Sequence, residues 1–176
     1  MPGAPLLMIA SPTLVSEAEY LSTTYRPDCD LIDGEIQERN VGQKDHSKLQ
    51  GRVFAWFDAR AAQLAIAAFL EMRLRVSHGR YRIPDVCVVM LPEPDEQIFT
   101  APPYIAIEIL SPEDTLRRLQ DRFDDYLAMG IVNIWVLDPD SARAWHATAE
   151  GLLQVRDATL QTTDGAIAMP LADVFF

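Results

Sequence analysis

Lysine is scarce in this chain: Lys44 and Lys48 are the only two among 176 residues. Basic charge therefore rests on arginine. The 15 basic residues fall well short of 26 acidic ones, leaving a formal net charge of −11 and a pI near 4.6. That balance excludes a protein that coats nucleic acid nonspecifically, but leaves room for local contact with DNA. Cysteine is equally rare. Cys29 and Cys87 make no closely spaced zinc or redox motif, and Cys87 lies in an apolar run. A reducing compartment is the simplest reading, with the cytoplasm as the expected location. No segment approaches the ~20 consecutive apolar residues of a membrane span. Met1 to Ala10 is apolar but short, proline-broken and without a cationic start, so no signal peptide is expected.

What the chain does have is enough apolar content for a core. It is 49% hydrophobic, and at this length one domain can bury a core without disulfides or a structural metal. Residues 1–15 read as a loose arm and residues 16–176 as the domain. Ser16-Glu17-Ala18-Glu19 has capping-box spacing and opens a short helix. Asp33-Gly34 marks a hairpin turn between Leu31-Ile32 and a weakly apolar strand in which Glu35, Gln37 and Arg39 share one face. Leu49, Val53, Trp56, Phe57, Ala61 and Leu64 recur at helical spacing, predicting a helix from about His46 to Ala68. Strands are expected over Phe69 to Val76, Tyr81 to Leu91 and Tyr104 to Leu110. Ser111-Pro112 should then cap a helix with Leu116, Leu119, Phe123, Tyr126 and Leu127 as its apolar stripe, ended by Gly130. A strand from Ile131 to Leu137 completes a β-α-β crossover, and Ala142 to Val155 reads as a closing hairpin. The fold class is α/β, with a mixed sheet and helices packed against it.

Two acids stand out. Asp85 follows Ile83-Pro84, and Glu108 lies within the otherwise uncharged segment Tyr104 to Leu110. A carboxylate among buried β-branched residues is costly unless it is paired, hydrogen-bonded or bound to metal. Adjacent strands could bring both acids to one Mg²⁺ or Mn²⁺, which takes carboxylates together with waters and phosphate oxygens. Such an ion polarises a phosphodiester and lowers the pKa of a bound water.

Several pieces then fall in one order: Leu31-Ile32-Asp33-Gly34-Glu35, His46-Ser47, Ile83-Pro84-Asp85-Val86, Ile107-Glu108-Ile109-Leu110-Ser111-Pro112, Tyr126 with Gly130, and Ile134-Trp135-Val136-Leu137-Asp138-Pro139. With them the chain resembles the Uma-type restriction-endonuclease-like family of the PD-(D/E)xK nuclease superfamily. The resemblance implies a restriction-endonuclease-like core, with Asp85 and Glu108 as metal ligands and Glu35 and His46 lining the same site. It implies metal-dependent hydrolysis of DNA, and a homodimer would suit cutting both strands. The chain departs from the superfamily motif in one place. Leu110 occupies the slot of the lysine two residues after the acid. Arg122 stands at the helix position where this family can supply a lysine instead. An arginine can hold phosphate, but it cannot readily deprotonate water.

Each residue also has a plainer reading. Asp85 is equally readable as the end of a turn or the partner of an arginine such as Arg73. His46 is readable as a helix cap, Glu35 as a solvated strand residue, Glu71 as a partner of Arg82, and Arg122 as a partner of Asp125 or Glu108. Two function classes follow: a Mg²⁺-dependent DNA endonuclease, or a degenerate nuclease fold serving as a binding or regulatory module. A glycosidase-like carboxylate pair is disfavoured, because no aromatic sugar platform is evident.

Overall fold

The computed structural model describes residues 14–39 and 42–176. The arm expected over residues 1–15 therefore lies almost entirely outside the described residues. Helix α1 (Glu17–Ser22) opens as its sequence requires, with the Ser16 hydroxyl accepting from the Glu19 N–H. Strands β1 (Cys29–Ile32) and β2 (Glu35–Glu38) form the hairpin. Asp33 and Gly34 both take positive φ, 52° and 89°, as a two-residue turn matching strand twist demands.

Helix α2 (Lys44–Asp58) buries Leu49, Val53, Trp56 and Phe57. The helix expected to reach Ala68 stops here. After a short α3 (Ala61–Leu64), Ala65 turns left-handed at φ 53° and Ile66 enters strand β3 (Ile66–Leu70). The alanine-rich stretch favours helix locally, but pairing Ile66 to Leu70 with a neighbouring strand overrides that weak preference.

The expected strand over Phe69 to Val76 is likewise two strands. Glu71, at φ 50°, separates β3 from β4 (Leu74–Ser77). Tyr81 to Leu91 also divides, into β5 (Arg80–Arg82) and β6 (Val86–Met90). Pro84 lies in the gap and has no N–H to donate to a ladder. Strand β7 (Ile105–Ile109) follows as expected. Helix α4 (Leu116–Met129) does not begin at Ser111. Ser111 and Asp114 close a turn instead: the Ser111 N–H donates to Asp114 Oδ2 and the Asp114 N–H to the Ser111 carbonyl. The Thr115 hydroxyl caps the helix by accepting from the Arg118 N–H, and Gly130 ends it at φ 99°.

Strands β8 (Ile134–Asp138), β9 (Arg143–Thr148) and β10 (Gly151–Gln154) complete the predicted crossover and hairpin. Strands β11 (Thr159–Gln161) and β12 (Ala168–Pro170) and helix α5 (Ala172–Phe175) form a tail that no sequence signal assigned. Arg52 and Trp56 of α2 hold that tail. Arg52 donates to the carbonyls of Val174 and Phe175, and the Trp56 indole donates to Asp173.

The central sheet has six strands in the order β10-β9-β8-β7-β6-β3, with β7 and β8 parallel. Strand alternation sorts its side chains onto two faces. Val86, Val88, Ile105, Ile107 and Ile109 pack with α2, while Cys87, Val89, Ala106 and Val136 pack with Leu119, Phe123 and Tyr126 of α4. A second sheet, β2-β1-β5-β4, stands beside it. It has its own hydrophobic cluster of Tyr20, Leu31 and Tyr81. Two short crossings join the sheets, at Glu71 to Arg73 and at Ile83 to Asp85, and a longer passage runs from β2 through α2 and α3 to β3. No described helix is long and apolar enough to cross a membrane.

Candidate active site

Asp85 occupies the second crossing. Val86 is opposite Ile107 in the antiparallel β6–β7 pair, so one step further Asp85 falls opposite Glu108. Strand β6 has not yet begun there, and the Asp85 carboxylate stands in for its main chain as acceptor: Oδ2 takes the Ile109 N–H at 2.7 Å. Its Oδ1 accepts from Arg39 Nη2 at 2.6 Å, and His46 Nε2 lies 3.4 Å from Oδ2. The main chain of Asp85 is held as well, its carbonyl accepting from the Gln50 amide and from the Glu71 N–H. Burial works to raise the Asp85 carboxyl. The His46 hydrogen bond, the charges of Arg39 and His46, and the Ile109 N–H outweigh it and hold the group below the usual carboxylate range. For His46, burial favours the neutral ring, but Asp85 more than offsets it and raises the imidazole above its ordinary value.

Glu108 is 1% exposed. On the α4 side of the sheet it meets one helical face carrying Arg122 and Tyr126, four residues apart. Arg122 Nη1 donates to Oε2 at 2.6 Å, and the Tyr126 hydroxyl donates to Oε1. Burial is the strongest influence on Glu108 and pushes its carboxyl up to about 7. The Asp85 charge acts in the same direction, while Arg122, Arg39 and Tyr126 act against it. Burial also raises Tyr126, so the phenol stays a neutral donor.

A cleft of about 390 Å³ opens over these groups. Arg39, His46, Glu71, Asp85, Ser111 and Arg122 line it, whereas Glu108 stands behind Arg122. The structure therefore brings Asp85, Glu108, His46 and Arg122 together. It does not bring Glu35, which is exposed beside the hairpin turn at the far end of β2 from Arg39. Glu71 reaches the cleft, but its arginine is Arg39 at 3.9 Å rather than Arg82. Arg82 is buried instead between Asp30 and Asp125. Arg73 lies near Asp28, and the arginine of Asp85 is Arg39. Leu110, in the lysine slot, packs into the apolar cluster of α4.

Sequence reasoning missed Arg39 and Gln50, and took Tyr126 for core alone. Gln50 is one helical turn beyond His46, a spacing that carries the signal. Arg39 carried none, because its position depends on how the hairpin docks.

Among the described residues no three His, Cys, Asp or Glu side chains gather around one point. The donor chemistry still suits a hard divalent ion. Two carboxylates face each other across adjacent strands beside an open cleft, and Mg²⁺ commonly completes such a pair with water and phosphate oxygens.

The chain is similar to a family model, Uma2, described as "Putative restriction endonuclease", over residues 18–172. That span contains every cleft residue named above. Among solved structures it resembles one described as "a putative nuclease belonging to DUF820 from Anabaena variabilis ATCC 29413". The TM-score is 0.76 at 23% sequence identity, covering 92% of this chain and 97% of that chain. At that identity the likeness concerns the fold, and it agrees with the expected restriction-endonuclease-like core. No curated protein matches the chain.

Proposed function

Because the chain belongs to the Uma2 family, we propose that it is an endonuclease that hydrolyses DNA phosphodiesters with Mg²⁺ or Mn²⁺ held by Asp85 and Glu108. The observation that carries this reading is the register of β6 against β7. It sets two buried carboxylates opposite each other, Asp85 lining a cleft whose wall contains arginines and Glu108 just behind Arg122. Bound there, a divalent ion would supply polarisation of the phosphodiester and acidification of a water.

The protein's own groups divide the remaining work. Arg122 can hold the phosphate and offset charge developing on it, as a guanidinium does by paired hydrogen bonds. It cannot serve as the base that a lysine could become when buried. His46, 3.4 Å from Asp85 Oδ2, orients that carboxylate. Tyr126 fixes the second oxygen of Glu108. A binding or regulatory module is the second reading. It is favoured by Leu110, which packs among apolar side chains where the motif lysine belongs.

The test is incubation of supercoiled plasmid and single-stranded DNA with Mg²⁺ and separately Mn²⁺, beside Glu108→Ala and Asp85→Asn. Metal-dependent cleavage lost in both variants is expected. A well-folded wild type that neither cuts DNA nor binds either metal would overturn the endonuclease reading in favour of the module.

A further inference from the structure

The resting site is already neutralised by the protein. Both oxygens of Asp85 and both oxygens of Glu108 face protein donors: Arg39, the Ile109 N–H and His46 for the first, Arg122 and Tyr126 for the second. Two carboxylates are matched by two guanidiniums. The acids are also the inner members of each pair. Side-chain exposure is 4% for Asp85 and 1% for Glu108, against 12% for Arg39 and 16% for Arg122. The guanidinium is thus the more exposed member of each pair, although Asp85 also reaches the cleft wall.

Their surroundings extend the pattern. A smaller recess adjoins the cleft and shares Arg39, Arg122 and Asp114 with it, adding Gln37, Arg82 and Arg118. Asp30 and Glu38 line the recess too, and Arg82 is buried against Asp30 and Asp125, so Arg39, Arg118 and Arg122 are the guanidiniums this wall can turn toward a phosphate. Arginine suits two alternative partners, because its planar fork matches carboxylate and phosphate geometry equally well.

We infer that Arg39 is a phosphate-binding residue of this site, and that Arg39 and Arg122 exchange partners on loading, leaving Asp85 and Glu108 for substrate phosphate as a divalent ion takes the carboxylates. The inference rests on the proposed metal-dependent reading. Its logic is charge balance. A divalent ion alone must displace two guanidiniums from short ion pairs into a cleft where the nearest other carboxylate to Arg39, Glu71, is half exposed and 3.9 Å away. DNA alone meets guanidiniums already paired. Arriving together, each ligand releases what the other needs. Metal and DNA binding are therefore coupled, and the coupling must be reciprocal.

The experiment is a calorimetric Mn²⁺ titration of the full chain, with and without a short duplex whose phosphorothioate linkages slow cleavage. Arg39→Gln, Arg122→Gln and Glu108→Ala are titrated alongside, with circular dichroism as the folding check. Wild-type affinity for Mn²⁺ should rise on the order of tenfold when DNA is present, within the usual range of coupling between sites. Without DNA, both glutamine variants should bind Mn²⁺ more tightly than wild type, and DNA should add less to them. Should Arg39→Gln fail to fold, Arg39→Lys keeps the charge, loses the fork, and should show an intermediate gain from DNA. Mn²⁺ affinity unchanged by DNA, or unchanged by replacing Arg39, would overturn the exchange while leaving metal binding intact. Mn²⁺ affinity unchanged in Glu108→Ala, or no Mn²⁺ bound by wild type even with DNA, would instead overturn the metal reading on which the inference stands.

Discussion

Arg82→Met should be among the most destabilising single changes in this protein. Arg82 is 3% exposed. Its Nη1 donates to Asp30 Oδ2 at 2.9 Å and its Nε to Asp125 Oδ2 at 2.6 Å. Asp125 keeps a second partner, because Arg80 donates to both of its oxygens. Asp30 has no such reserve: its Oδ1 is buried without a partner, and Arg82 is the donor to Oδ2. Removing the guanidinium strands a buried carboxylate, a loss of about 3–5 kcal/mol. For a chain of this size that corresponds to a fall in Tm of roughly 6–20 °C, at ~2–4 °C per kcal/mol. Urea unfolding followed by tryptophan fluorescence measures it. The double variant Asp30→Leu, Arg82→Met removes the stranded charge and should recover much of the loss, because an apolar replacement of a buried ion pair is often nearly neutral. A single-variant loss below ~1 kcal/mol, or a double variant no better than the single, would refute the reasoning.

Three further outcomes are expected. Glu108 has a folded pKa of about 7 against an ordinary 4.5, so it binds its proton more tightly when folded. Its stabilising contribution is complete below about pH 4.5 and is lost as pH rises through 7. In metal-free buffer, wild type should therefore lose stability relative to Glu108→Gln across that window, and paired denaturant titrations at the two ends read the difference. Cys87 is fully buried and its thiol is pushed up to about 12 by burial, while burial also raises that of Cys29. A thiol reagent at pH 8 should label neither until denaturant opens the fold. Thr115→Ala should cost ~1 kcal/mol by uncapping α4, whereas Ser111→Ala should cost less, since the turn at Ser111 is closed by its main chain and the side chain of Asp114; urea midpoints compare them.

The sequence made the elements with strong local signals legible. The Asp33-Gly34 hairpin, the Ser16 cap and the glycine end of α4 all follow from short-range chemistry, and each lies where the pattern put it; of the expected α4 stripe, Leu119, Phe123 and Tyr126 are buried, while Leu116, in the first turn, is exposed. The errors share one cause. Ile66 to Ala68 reads as helix, and Phe69 to Val76 and Tyr81 to Leu91 each as one strand, because local pattern does not say where the chain changes sheets. That change depends on which distant strand offers a partner. The site was legible in the same proportion. Asp85 and Glu108 declared themselves as acids in apolar settings, and Arg122 and His46 followed from the family resemblance. Arg39 did not, because it arrives from another sheet. The acids' occupation by arginines is likewise a three-dimensional fact, with the contacts of Asp85 spanning positions 39, 46, 50, 71 and 109.

The two crossings between the sheets are joined to each other, since the Glu71 N–H donates to the Asp85 carbonyl at 3.2 Å. Two connections side by side constrain relative motion more than one, because each opposes the twisting and sliding that the other would permit. Asp85 sits at that junction. Any displacement of one sheet against the other is smallest where they are tied, so the acid at the crossing moves less than residues remote from it, such as Glu35 at the hairpin turn.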